Sequence, residues 1–537
     1  MLFNSYEFIF GFLPVVLIGF YVLGARRREW ALLWLTFASL LFYAWWRPIN
    51  VLVIAPSILL NLGFARLLLR FREASPARAR AVLICGIVFN LCFLGYFKYT
   101  IFLAGAANDV FGTDFVLTRI ILPLGISFIT FQKIAFLADV HAGRVTSFTL
   151  REYALFVLFF PQLIAGPIVH YREMMPQFQS ISARFNIEDA SVGLMLFFYG
   201  LAKKLLLADP MALVVSPLYE RAAHGQALGF VDGWIAALGF TLQIYFDFSG
   251  YSDMALGLAR FFGIKLPVNF NSPLKATSII EFWQRWHVSL TRFLTAYIYN
   301  PLSLRLARAR LAGGKSARDT SVASFATLLV TPTMLTMFVS GLWHGAGYTY
   351  IVWGLMHGVM LCVNHAWRLI RSRIWPGAKN HPRLLDRTGF VLTFVCVVLA
   401  LVMFRAPTVT AAASIWRDVS GARGVTLPEG LLARLGPAAD LVSAIGVRPD
   451  SSSGAQIMEG ALRVMVLLLI ALGLPNTLQI LAVYEPALGF RPARQETWLV
   501  RALCWSPSTS WAVGLASISA AGVLSLGQLS EFIYWQF

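Results

Sequence analysis

The sequence predicts an all-α, polytopic integral membrane protein, and three observations carry that prediction. The 537 residues are 58% hydrophobic and 13% charged, against about 25% charged residues in soluble globular chains. Apolar runs of the length that spans a bilayer, about 20 residues, follow one another through the chain. Short basic connections separate them and recur at every second turn. The 44 Lys and Arg against 26 Asp and Glu give a net charge of +18, and their placement makes that charge a topology signal rather than a nucleic-acid footprint.

The first run, 5–24, does not read as a secretory signal and is expected to be a span: no cation precedes it, Glu7 lies near its start, and Arg26, Arg27 and Arg28 follow it. Cations mark the inner side, so the N-terminus is expected outside. The second run ends outward at Trp45 and Trp46, and 51–69 returns to Arg66, Arg70, Arg72, Arg78 and Arg80. The run 81–103 leads out, and 115–140 comes back to His141, Arg144 and Arg151. The stretch 153–168 breaks the alternation, and its Phe160-Pro161-Gln162 and Gly166-Pro167 interrupt a helix. It is expected to be re-entrant, because non-helical backbone at membrane depth survives only inside protein or against a cavity.

Beyond it, 192–215 exits and 232–258 returns to Arg260 and Lys265. The polar stretch 261–319 reads as interfacial or re-entrant helices, with an aromatic amphipathic part at 282–299 and a basic tail of Arg305, Arg308, Arg310, Lys315 and Arg318. Run 321–341 crosses outward, 350–367 returns to Arg368, Arg371, Arg373 and Lys379, and 389–404 exits. Residues 405–460, rich in Gly, Pro, Ser and Ala, are expected to form an outer loop. Run 461–481 returns to Arg491, Arg494 and Arg501, and 511–529 exits, which totals about twelve spans with both termini outside. The five cysteines, Cys85, Cys92, Cys362, Cys396 and Cys504, form no CxxC pair and read as core packing residues, with no metal site expected. No inverted repeat of the kind built into many transporters is visible.

Ionisable groups at membrane depth are costly and point to function. In Gln243-Ile-Tyr-Phe-Asp247-Phe-Ser249-Gly-Tyr251-Ser-Asp253 helical spacing puts Asp247 and Tyr251 on one face. Two readings stand for Asp247, a packing hydrogen-bond acceptor or a substrate contact. In Glu281-Phe-Trp-Gln-Arg285-Trp286-His287-Val-Ser289-Leu-Thr-Arg292 the rings suit the interface, while Arg285, His287 and Arg292 suit either a cavity for an anionic cytosolic ligand or a helix on anionic lipid. His344, between Trp343 and glycines where an outward span turns back, suits general-base work. His357, about 220° further round a straight helix, reads as a packed, hydrogen-bonded residue. Lys203 and Lys204 either snorkel to an interface or neutralise an anion inside the protein, with Asp209 a possible partner. One histidine near the cytoplasmic side and one nearer the outer side suggest a through-membrane reaction chamber, although a proton-coupled transporter with His and Asp relays has the same outline.

With these residues the chain resembles the membrane-bound O-acyltransferase superfamily, in particular its AlgI-type bacterial polysaccharide O-acetyltransferase branch. The similar strings are Pro123-Leu-Gly-Ile-Ser-Phe-Ile-Thr-Phe-Gln132, Phe160-Pro-Gln-Leu-Ile-Ala-Gly-Pro167, Phe246-Asp-Phe-Ser-Gly-Tyr-Ser-Asp253, Phe282-Trp-Gln-Arg-Trp-His287 and Gly341-Leu-Trp-His-Gly345, five in order along nearly the whole chain. The resemblance implies a helical bundle around a central chamber; with the runs read above, N-terminal spans are expected in 1–115, a catalytic core in 116–405, an outer loop in 406–460 and further spans in 461–537. It implies His344 as the superfamily's central histidine and His287 as its second polar position. Gln132, Asp247, Ser249, Tyr251, Arg285, Trp286 and Trp343 are the expected substrate contacts. The implied activity is O-acetylation of an exopolysaccharide such as alginate at the cell inner membrane, with acetyl-CoA as donor substrate, no bound cofactor, and a periplasmic acetyltransferase as partner. Peptidoglycan or cellulose acetylation and teichoic acid D-alanylation are the alternatives within the superfamily.

Overall fold

Apolar sequence must satisfy its own backbone hydrogen bonds, and helices do so within one segment. The structure, a computed structural model, describes all residues except 119, 165, 317, 318, 320, 378–380, 445, 451–453, 491–497 and 529–537. Arg318, Lys379, Arg491, Arg494 and the C-terminal end of the last expected span therefore lie outside the described residues. The fold is almost wholly helical, with one two-stranded parallel pairing, Thr426–Pro428 with Arg448–Asp450.

Seven helical segments among the described residues are long and apolar enough to cross a membrane: Glu7–Arg26, Ile49–Ala74, Pro76–Phe111, Ile187–Ala223, Val322–His344, Pro382–Arg405 and Gly454–Gly473. Further long helices, Arg28–Trp46, Phe230–Arg260 and Tyr348–Ile374, pack among them. Successive helices pair as hairpins whose turns fall at the arginine-rich connections near 26–28, 70–80 and 368–387.

The helix Phe230–Arg260 is the axis of the bundle. Nearly every side chain on it is buried. It lies against Ile187–Ala202, so close at Gly200 that an added Cβ would sit 2.4 Å from the carbonyl oxygen of Gly250. Small residues permit this approach where lipid supplies no hydrophobic drive between helices.

Two broken segments enter this bundle. The first comprises Leu150–Leu158, Phe160–Leu163 and Tyr171–Ser180, each shorter than a span, and its Thr149–Glu152 capping box opens the first of them. The second comprises Ile279–Arg285 and Val288–Leu294. They meet where the Ile168 N–H donates to Ser289 Oγ at 2.9 Å. The re-entrant expectation for 153–168 agrees with these short, buried pieces.

Three expectations are corrected. The rings of 282–293 do not sit at an interface, because Phe282, Trp283, Trp286 and Phe293 are all buried. An amphipathic pattern fixes which face is apolar, and here that face meets protein instead of lipid. The cysteines are not core residues: Cys85 and Cys92 are exposed and the other three half-exposed. In a membrane protein the outward face is apolar too, so apolar surroundings in sequence do not imply the core. Residues 405–460 are more than a loop, since the amphipathic helix Val409–Val419 buries Ala411, Ala412, Ile415 and Val419 against the bundle.

Candidate active site

The helix Thr331–His344 ends at His344 because Gly345 and Gly347 continue in extended backbone before Tyr348–Ile374 turns back. The two helices touch through glycines: a Cβ on Gly341 would stand 2.3 Å from the carbonyl oxygen of Tyr350. His344 is thereby pressed, 3% exposed, into a box of rings. The centroids of Trp343, Trp353 and Phe404 lie 4.8, 5.0 and 5.3 Å from its own.

His287 arrives from the other direction. The helix Ile279–Arg285 stops after two turns, and His287 takes a left-handed conformation, φ 44°, that throws the chain into Val288–Leu294. Such backbone is strained for a residue with a Cβ and persists only where its surroundings over-determine it. Asn269 does so twice: its carbonyl accepts from the Val288 N–H at 3.0 Å, and its side-chain Oδ1 lies 2.9 Å from His287 Nδ1. Ser289 Oγ accepts from Ile168, so its own proton is directed to the same Asn269 Oδ1 at 2.9 Å. Asn269 Nδ2 in turn donates to Ser252 Oγ at 3.1 Å. The network thus assigns the proton to His287 Nδ1 and leaves Nε2 as the basic nitrogen.

The two imidazoles are 6.3 Å apart, centroid to centroid, and His287 is fully buried. This corrects the expectation of one histidine near each side of the membrane. Residues 261–294 fold inward and carry His287 to the centre. Beside His344 lies a cavity of about 70 Å³ lined by Lys98, 122–128, Ile164, Trp343 and His344, room for a few waters or the small end of a substrate.

The other expected residues distribute as follows. Trp343 lines the cavity and stacks on Phe131 at 5.5 Å. Gln132 is buried on the helix Ile126–His141. Trp286 packs between Phe270 and Phe282, and Arg285 pairs with Glu281 at 2.6 Å. Arg292 pairs with Glu173. His357 is the packed, hydrogen-bonded residue expected, accepting from Trp283 Nε1 at 3.3 Å. Asp247 lies 2.7 Å from Lys204, which also holds Asp209 at 2.6 Å, and Lys203 holds Asp253 at 2.6 Å. Both lysines therefore neutralise anions inside the protein, and the anions are the chain's own. Ser249 and Tyr251 are buried on the same axial helix, Tyr251 stacked on Phe3 at 4.7 Å. Asp247, Ser249 and Tyr251 are not among the cavity-lining residues.

Sequence reading overlooked Lys98 and Asn269, and it quoted Ser289 without a role. Lys98 did carry a signal, a cation inside the apolar run 81–103. Asn269, in Val-Asn-Phe-Asn, carried none.

Two buried imidazoles thus lie side by side among aromatic rings inside a bundle of helices, several of them long and apolar enough to cross a membrane. The family model for MBOAT, membrane-bound O-acyltransferase family, matches residues 137–404. The chain belongs to this family and is an acyltransferase. It is 38% identical to the peptidoglycan O-acetyltransferase of Helicobacter pylori over 80% of this chain and 81% of that protein. It is 39% identical to the "Probable alginate O-acetylase AlgI" of Pseudomonas aeruginosa over 78% of this chain and 74% of that one. The teichoic acid D-alanyltransferase of Streptococcus thermophilus is 31% identical over 52% of this chain and 68% of its own length.

Proposed function

We propose that this protein transfers acetyl from acetyl-CoA, entering from the cytosol, toward hydroxyl groups of a cell-envelope polysaccharide, directly or through a periplasmic acetyltransferase. The observation that carries the reading is His344 buried at the cavity wall, with the buried His287 6.3 Å from it, centroid to centroid. His344 takes the proton of the acceptor hydroxyl, the oxygen attacks the thioester carbonyl, and the C–S bond breaks. The thiolate leaves as CoASH once it regains a proton, so protons balance. A base so placed contributes about 10²–10⁴-fold. His287, oriented by Asn269, stands beside His344 as the second polar group, and the Trp343 and Trp353 rings keep water from the thioester. The cations at alternate connections support arginine-rich turns in the cytosol and both termini outside, and the resemblance supports the inner membrane as the site.

Alginate and peptidoglycan are the acceptors of acetyl named for two of the relatives described, and they divide the proposal. Acetyl content of each surface polymer, with and without this protein, separates them. Purified protein in liposomes should consume acetyl-CoA and acetylate an added oligosaccharide. Solute flux driven by a pH gradient with no acetyl turnover would instead establish a transporter.

A further inference from the structure

Neighbouring side chains from a distant span grip the last turn of the His344 helix. The helix Pro76–Leu94 passes into Thr100–Phe111 through a π-turn at Gly95–Tyr99, a feature that in helices often marks functional positions. From this turn Lys98 Nζ donates to the carbonyl of Trp343 and reaches Ser127 Oγ at 3.4 Å, while the Tyr99 hydroxyl donates to the carbonyl of Leu342 at 2.6 Å. The last carbonyls of a helix have no intrahelical donor. Here the extended backbone of Gly345 and Gly347 ends the helix, and the span supplies donors to two successive carbonyls immediately before His344. Lys98 thus brings a donor to the negative end of that helix and lines the cavity beside His344.

We propose that Lys98 and Tyr99 are positioning residues for His344: together they fix the terminal turn so that the imidazole keeps its place at the cavity wall. The proposal rests on His344 being the reacting base. An unclamped turn ending in glycines would let the ring drift, and a misplacement of about 1 Å costs on the order of 10²-fold in rate.

The test is acetyl transfer by the full-length protein in liposomes, from acetyl-CoA to an oligosaccharide, measured for Lys98→Met, Lys98→Arg, Tyr99→Phe and His344→Ala alongside each variant's melting temperature. Lys98→Met should lower kcat about 100-fold with KM for acetyl-CoA and melting temperature unchanged, and Lys98→Arg should recover most of the loss. Tyr99→Phe should lower kcat up to about tenfold, the worth of one hydrogen bond. Lys98→Met in a His344→Ala background should cost nothing further. Wild-type kcat in Lys98→Met, or a loss matched by a fall in melting temperature, overturns the proposal. Should Lys98→Met not accumulate, wild-type kcat in Tyr99→Phe overturns it alone. Full activity in His344→Ala defeats the base assignment instead, and that result is read independently.

Discussion

The protein holds two polar interiors built on opposite terms. Around Lys204 every charge meets an opposite one, three carboxylates on two ammonium groups: Lys204 holds Asp247 and Asp209, and Lys203 holds Asp253, which also accepts from Thr477 at 2.8 Å. These pairs tie the axial helix Phe230–Arg260 to the segment Ile187–Ala223. Around His344 and His287 the walls are rings, the polar groups are imidazoles, and a cavity remains beside them. The first region spends its polarity on cohesion, and the second keeps it at a place a substrate can reach. Polar residues buried at membrane depth are thus of two kinds, charges paired with charges and imidazoles packed among rings.

Substitutions can break the contrast, and they rank by size. His344→Ala should lower acetyl transfer about 10²–10⁴-fold with little change in melting temperature; full acetylation of the surface polymer by that variant would remove the assignment. Lys204→Met leaves two buried carboxylates without their cation, which should cost about 3–5 kcal/mol and appear as lost protein in the membrane. Near-normal accumulation and thermal stability would show that the cluster is not cohesive. Asn269→Ala removes the partner of His287 Nδ1 and of Ser289, and about tenfold lower activity is expected, from roughly 1.4 kcal/mol of hydrogen bonding. An unchanged rate would mean that the left-handed turn holds His287 by itself. Glu459→Gln breaks a surface pair with Arg463, worth about 0.3–0.5 kcal/mol, and neither activity nor a melting curve should move measurably.

Much of the site was legible before any coordinates. His344 and Trp343 stood out because imidazole and glycine at membrane depth serve no lipid-facing purpose. His287 stood out less sharply, since the rings of Trp283 and Trp286 suit a membrane surface as well as a core. Lys203 and Lys204 had two readings because the carboxylates they meet are 43 to 50 residues away in sequence for the axial helix. Asn269 was invisible, as one amide in a polar stretch shows no periodicity.

What the sequence by itself determined is the class: apolar runs must become helices where water cannot satisfy the backbone, and cations confined to alternate connections order those helices across a bilayer. Its motifs also placed the chain among the O-acyltransferases. Only the tertiary structure decided that His287 and His344 lie 6.3 Å apart, that Asp247 pairs with Lys204, and that Lys98 and Tyr99 reach the end of the His344 helix. The reason is physical. Composition and periodicity report that a side chain is buried, whereas chemistry depends on which partner it is buried against, and those partners come together only when the helices pack.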